Sequence, residues 1–195
     1  GKTVLSYHLD ALCAPDGTPL AENIGLSVRG PERLCIVGAN GAGKTTLLRL
    51  LAQELMQRAD LRAEYMPQDY EELLDLDCTP VELLNRSGSA DERTWVSTCL
   101  GALRYTTDEM SHPIRALSGG QRAKLLLLKM SLSGANVLLL DEPTRNFSPL
   151  SGPVIRRMLA EFPGAILSVS HDRTFIDEVC TRVLRLDATG LHPLR

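Results

Sequence analysis

The sequence predicts an α/β fold: a mostly parallel sheet with flanking helices, a small antiparallel β edge and an inserted helical subdomain. Three observations lead there. Four short apolar runs, at residues 34–37 and 137–140, in "AILSVSHD" from Ala165 and in "RVLRLD" from Arg182, alternate with segments that carry apolar residues at helical spacing, the pattern of parallel strands buried on both faces. Between Gln68 and Leu117 no β-type run occurs; "YEELLDLDCTPVELLN" and "ADERTWVSTCLGAL" instead place apolar residues three and four apart with acids between them. The opening stretch "VLSYHLDALCAPDGTPLAENIGLSV" reads as short strands joined by a turn at "PDGTP".

Taken in order, the opening strands form the antiparallel edge. Residues 34–37 then lead through a glycine-rich loop into the Leu-rich helix of "TTLLRLLAQEL". The helical subdomain follows at about 69–116, with "NRSGSADE" as its internal loop, and the core comprises about 1–68 and 117–195. "LSGGQ" stands directly ahead of the helical run "RAKLLLLKMSL". Two adjacent glycines weaken a helix or strand interior, so they read as a turn before a helix that Ser118 caps.

At 195 residues and 44% hydrophobic, the chain is long enough for one domain with a real core. A formal charge of -3 and only 3 Phe, 4 Tyr and 1 Trp give no sign of a broad basic face or a stacking platform for bare nucleic acid, and leave open a local patch that binds a large anionic particle. The five cysteines, at 13, 35, 78, 99 and 180, are odd in number and far apart; inert thiols in a reducing compartment are expected. No stretch approaches eighteen uninterrupted apolar residues and the first residues lack a signal peptide's apolar core. These features predict a cytoplasmic protein without membrane insertion, and the chain reads as an excised piece of something longer.

"GANGAGKT", residues 38–45, fits G-x-x-x-x-G-K-[ST], a P-loop NTPase-type signal. Phosphate needs several inward-pointing N–H donors, which a glycine-rich turn supplies without side-chain clashes, and the following helix adds its positive end. Lys44 would reach the β- and γ-phosphates and the Thr45 hydroxyl would ligate Mg²⁺. "VLLLDE" carries Asp141 to a strand's C-terminal end, where ligands gather in open α/β sheets, and Glu142 is placed to orient or deprotonate a water. Two solvated acids are the alternative, which Lys44 in the same chain disfavours. His171 is either structural or within reach of a γ-phosphate, and Gln68 is either solvated or bonded to water or Mg²⁺.

Together and in order, "GANGAGKTT", Gln68, "LSGGQ", "VLLLDEPT" and "SHDR" resemble the nucleotide-binding domain of the ATP-binding cassette (ABC) family, across nearly the whole chain. The resemblance implies a Mg²⁺-dependent ATPase. Gly38, Ala39, Asn40, Gly41, Ala42, Gly43, Lys44, Thr45 and Thr46 would bind phosphate in cis; Thr45, Gln68 and Asp141 would serve Mg²⁺; Glu142 would be the catalytic base, with Gln68 and His171 assisting at the reacting phosphate. Ser118, Gly119, Gly120 and Gln121 would act in trans, on ATP held by a second cassette facing head-to-tail.

"EPT" followed by "SHDRTFIDEV", and the short distance from Lys44 to Gln68, look most like the F subfamily, whose members carry two cassettes in one polypeptide and mostly act on ribosomes. The implied partners are a second cassette, in tandem or as a homodimer, and the ribosome with its tRNA. A transporter's ATP-binding subunit, with a separate membrane partner, would share the same motifs. A third reading is a regulatory nucleotide-binding module that does not hydrolyse, suggested by a departure from the pattern: "RNFS" follows "EPT", with Ser148 where the F subfamily's "NHLD" ends in Asp. In a second departure, no aromatic falls near residues 13–15 to stack on adenine, and Tyr7 comes too early; loose base selectivity or cover by another apolar side chain follows.

Overall fold

The computed structural model describes residues 3–145, 147 and 151–194. β1 (Thr3–Cys13) and β2 (Pro19–Arg29) pair antiparallel in a sheet of their own, with Tyr7 opposite Leu26 and Leu12 opposite Ala21. Each runs eleven residues, longer than the short strands expected. His8 and Asp10 on β1, and Glu22 and Asn23 on β2, read as interruptions but occupy exposed positions of a hairpin with one buried face. At the connecting turn Asp16 accepts from the Thr18 N–H at 2.9 Å.

The chain continues through β3 (Arg33–Val37), α1 (Lys44–Gln57) and β4 (Ala63–Met66). A 3₁₀ turn at Glu71–Leu73, then α2 (Pro80–Leu84), α3 (Ala90–Ala102), α4 (Thr107–Ser111) and a second 3₁₀ turn at Ile114–Ala116 make up the helical stretch. Its internal loop is shorter than "NRSGSADE": Ser89 caps α3 by accepting from the Glu92 N–H, which brings Ala90, Asp91 and Glu92 into the first turn. α5 (Gly119–Leu132), β5 (Val137–Asp141), α6 (Gly152–Ala160), β6 (Ala165–Val169), α7 (Arg173–Val179), β7 (Arg182–Asp187) and β8 (Gly190–Pro193) complete the fold.

The larger sheet has the order β4-β5-β6-β3-β7-β8, parallel except for β7 with β8. Its central strands separate two apolar clusters by simple alternation. Leu34, Ile36, Val137, Leu139, Leu167 and Val169 face α1 and the β1–β2 hairpin. Cys35, Leu138, Leu140 and Ile166 face the cluster that holds α5, α6, α7 and the helical stretch. Burial on both faces is why these strands read as unbroken apolar runs, and each such Leu or Ile contributes about 1.5–3 kcal/mol relative to exposure.

This topology assembles the site. β5, β6 and β3 are adjacent and parallel, so the segments leaving their carboxyl ends, after residues 141, 169 and 37, emerge side by side although they lie far apart in sequence.

Candidate functional site

β3 delivers the glycine-rich loop to the carboxyl edge of the sheet. Gly38 has φ 155°, and a Cβ there would lie 2.5 Å from the Leu186 carbonyl oxygen, so only glycine fits against β7. The loop ends at Gly43, the N-cap of α1 at φ 94°. α1 starts with no side-chain cap and no acid in its first turn, which leaves its first N–H groups open to an anion. Lys44, 7% exposed, donates from Nζ to the carbonyls of Gly38 at 3.0 Å and Ala39 at 2.8 Å. Burial lowers its pKa, and the charges of Glu142 and Asp141 oppose that shift.

A cavity of about 510 Å³ opens beside this lysine, lined by Asn40, Gly41, Lys44, Thr45, Gln68, Asp141, Glu142, Arg145, Val169 and His171. Eight of the cis residues expected from the sequence, Asn40, Gly41, Lys44, Thr45, Gln68, Asp141, Glu142 and His171, therefore share one space, reached from four separate segments. Arg145 was not anticipated; its only signal is a basic residue three positions past Glu142. Ala39 and Ala42 border a second cavity, and Gly43 and Thr46 a third of about 320 Å³ that Ala14 and Leu20 close. Aliphatic side chains thus stand where an aromatic was missed. Tyr7 packs instead against the cluster that includes α1.

Asp141 follows the parity of Val137 and Leu139, which turns it toward α1. It is 1% exposed, and neither carboxylate oxygen has a hydrogen-bond partner. Desolvation raises its pKa, with Thr45, Arg49 and Lys44 offsetting part of the effect. A buried, unpartnered carboxylate beside the Thr45 hydroxyl and Gln68 fits a hard cation. No group of three or more His, Cys, Asp or Glu that could hold a metal exists among the described residues. One buried carboxylate with a hydroxyl and a carboxamide near it is a donor set that suits Mg²⁺, which takes one or two carboxylates and completes its shell with water and phosphate oxygens.

Glu142 has φ 50°, a strained conformation for a non-glycine residue. Its N–H donates to the Val169 carbonyl at 2.9 Å, which aims the side chain along the mouth of the cavity. Oε2 accepts from the His171 N–H at 3.3 Å and Oε1 lies 3.5 Å from His171 Nε2. Burial raises the pKa of Glu142, His171 and Lys44 counteract it, and Asp141 adds to it. The geometry suits a carboxylate that takes a proton from water, with the imidazole beside it.

Ser118, Gly119, Gly120 and Gln121 do not line this cavity. Ser118 caps α5 as expected, but Gly119 and Gly120 form the first turn of the helix and not a turn ahead of it. At the first two helical positions the N–H groups have no intrahelical partner, so glycine there weakens little and leaves the donors accessible. Ser148 lies outside the described residues. None of the five cysteines, all of them described residues, forms a disulfide, and Cys35 and Cys180 are buried.

A family model described as ABC transporter matches residues 21–145, which span the glycine-rich loop, the LSGGQ segment, Asp141 at the end of β5 and Glu142 just after it. The chain belongs to the ABC transporter family. Cassettes of this family bind and hydrolyse ATP. Relatives include YdiF of Bacillus subtilis (strain 168), an ATP-binding protein 35% identical over 98% of the chain. ABC transporter F family member 5 of Arabidopsis thaliana is 29% identical over 86%, and ATP-binding cassette sub-family F member 3 of Homo sapiens is 32% identical over 82%. The cassette spans only 31%, 25% and 24% of their respective lengths. Among solved structures, the ATP-binding cassette MJ0796, described as dimeric, post-hydrolysis and bound to ADP and Pi, matches with a TM-score of 0.75 at 18% identity, covering 98% of this chain and 99% of that one; at that identity the likeness speaks to fold.

The buried Asp141 carboxylate gives a stability prediction. Because its pKa is raised in the fold, the ionised form opposes folding above the usual carboxylate range, and stability is gained as pH falls through the folded-state value. Asp141→Asn removes that charge and should raise the melting temperature of the nucleotide-free cassette by roughly 3 °C, about 1 kcal/mol. The added stability conferred by MgATP should shrink in the same variant. Paired melts with and without MgATP check both, and an unchanged or lowered midpoint without nucleotide contradicts the reading.

Proposed function

We propose that this cassette binds MgATP in cis, pairs head-to-tail with a second cassette, hydrolyses the ATP at the shared site and transmits that cycle to a ribosome-bound partner, as one cassette of an F-type protein in the cytoplasm. In this reading residues 1–195 are a single ATP-binding domain, with about 69–116 as its helical subdomain, within a longer tandem polypeptide.

The phosphate chain of ATP lies along the loop from Gly38 to Gly43 and on the open N-terminus of α1. Lys44 exchanges its two carbonyl partners for β- and γ-phosphate oxygens. Thr45, Gln68 and Asp141 hold Mg²⁺, which when bound neutralises phosphate charge. Glu142 orients the attacking water and accepts its proton at Oε1, while His171 faces the γ-phosphate and steadies the carboxylate through its N–H. Thr46 and the loop carry the α-phosphate side, and the base rests against Leu20 and Ala14. The turn from Ser118 to Gln121 faces the site of the second cassette and completes it.

What carries the ribosomal part of the reading is the set of F-family relatives, which match 82–98% of the chain. Among the described residues no helix is long and apolar enough to cross a membrane. The test is co-sedimentation of the complete protein carrying Glu142→Gln with ribosomes, with and without ATP. ATP-dependent pelleting is expected. Absence from the ribosome pellet, with ATP binding intact, would overturn the ribosomal partner and favour a transporter subunit.

A further inference from the structure

The start of α5 is held by a hydrogen-bond network that lies outside the ATP cavity. Ser118 and Gln121 form a reciprocal capping box: Gln121 Oε1 accepts from the Ser118 N–H at 2.8 Å, and Ser118 Oγ accepts from the Gln121 N–H at 3.3 Å. α4 opens with the same device, Glu109 Oε2 accepting from the Thr106 N–H at 2.8 Å and Thr106 Oγ1 from the Glu109 N–H at 3.2 Å. The two boxes are joined, because the Gln121 carboxamide nitrogen donates to Glu109 Oε1. Each side chain is therefore divided: one Glu109 oxygen caps α4 and the other holds Gln121, while the Gln121 oxygen caps α5 and its nitrogen reaches α4.

The backbone beneath is fixed as well. Tyr70 Oη donates to the Gly119 carbonyl at 2.7 Å, and Tyr105 Oη donates to the Gln121 carbonyl. Lys124, one turn along α5 and 4% exposed, donates to the Leu103 carbonyl at 3.0 Å with its ammonium 4.7 Å from the centre of the Tyr105 ring. Its charge also faces Glu109, balancing that carboxylate in a half-buried setting. Two consecutive glycines give a helix start the greatest backbone freedom of any pair, and the linked boxes remove it.

We propose that Glu109 is a positioning residue for the Ser118–Gln121 turn, and that Gln121 works through its bond to Glu109 and not as a ligand of the nucleotide. This rests on the reading that the turn meets the phosphate of a facing cassette. The groups left to do so are the N–H donors of Gly119 and Gly120 and the hydroxyl proton of Ser118. Their aim is tied to α4, so the helical stretch and the phosphate-binding turn move as one body.

The joint can be broken and rebuilt with its polarity reversed. Gln121→Glu keeps the box with Ser118, because a carboxylate accepts from the Ser118 N–H equally well, but it sets two carboxylates against each other. Adding Glu109→Gln restores one donor facing one acceptor and leaves both boxes intact. In the complete protein, Gln121→Glu should lower kcat about tenfold or more with KM for ATP within about twofold, and the double exchange should return to within about threefold of wild type. An exchange no better than Gln121→Glu would mean that the Gln121 carboxamide itself meets nucleotide, which overturns the proposal; an unaffected Gln121→Glu overturns it as well. Urea unfolding of the same proteins reads the joint without turnover: the exchange should regain the midpoint that Gln121→Glu loses, and failure to regain it removes the joint. A wild-type protein that neither hydrolyses ATP nor pairs on it would sink the proposed function, while the unfolding series would still judge the bond.

Discussion

Replacing Glu142 with Gln should leave ATP binding intact and lower hydrolysis by about 10²–10⁴-fold, the range for loss of a positioned general base. The substitution preserves shape. A carboxamide oxygen can still accept from the His171 N–H, which reaches Glu142 Oε2 at 3.3 Å, and the backbone bond to Val169 is untouched. What is lost is an acceptor for the proton of water, and one negative charge beside the γ-phosphate. With cleavage stopped and the phosphates still held, the ATP-bound pair of cassettes should accumulate, visible as an ATP-dependent increase in mass for separate chains by light scattering. Hydrolysis at the wild-type rate would remove Glu142 from the chemistry. The pH profile adds a second check. The base must be ionised to act, and burial raises its pKa above that of an ordinary glutamate, so wild-type turnover should fall on acidification through that raised value. The residual turnover of Glu142→Gln should lack this limb.

Lys44→Ala should weaken ATP binding by at least about 100-fold, or about 2.7 kcal/mol, measured by calorimetry. The ammonium is held within the loop it serves, bonded to Gly38 and Ala39 and 7% exposed. A cation prepositioned in a cavity with two carboxylates is set to meet a polyphosphate, and among the described residues no other lysine lines that space. Removing it leaves the charges of Asp141 and Glu142 facing the incoming phosphates and frees two loop carbonyls. The fold should survive, since α1 is anchored by Leu47, Leu48, Leu51 and Leu55, all fully buried. Retained affinity with an intact circular dichroism spectrum would mean that the glycine-rich loop is not where the phosphates bind.

The parts of this molecule that the sequence makes legible are those where one local pattern decides. β3, β5, β6 and β7 announce themselves because burial on both faces demands unbroken apolar runs. The loop from Gly38 to Lys44 does so because three of its positions, Gly38, Gly41 and Gly43, take positive φ that favours glycine. β4 and β8 stay hidden: "AEYM" and "GLHP" owe their strand pairing to neighbours β5 and β7 and carry little apolar signal of their own. The glycines of LSGGQ suggest a turn when taken alone, and only the reciprocal bonds of Ser118 and Gln121 show why they begin a helix. Glu109 gave no hint, since its second oxygen is used by a residue twelve positions away on another helix. Arg145 was equally silent, its place in the cavity following from the turn after β5.

The bare N-terminus of α1 has one more consequence. α2, α3, α4, α5 and α7 each begin with a side chain that caps them; α6 begins with none but has a proline in its first turn, and α1, which carries Lys44 and Thr45, begins with neither. In the proposed site a bound phosphate would supply that missing end, so the nucleotide would complete the helix that holds it. Without such an anion the amides of residues 44–46 are the ones of this helix expected to exchange with solvent most readily, and bound nucleotide should slow them.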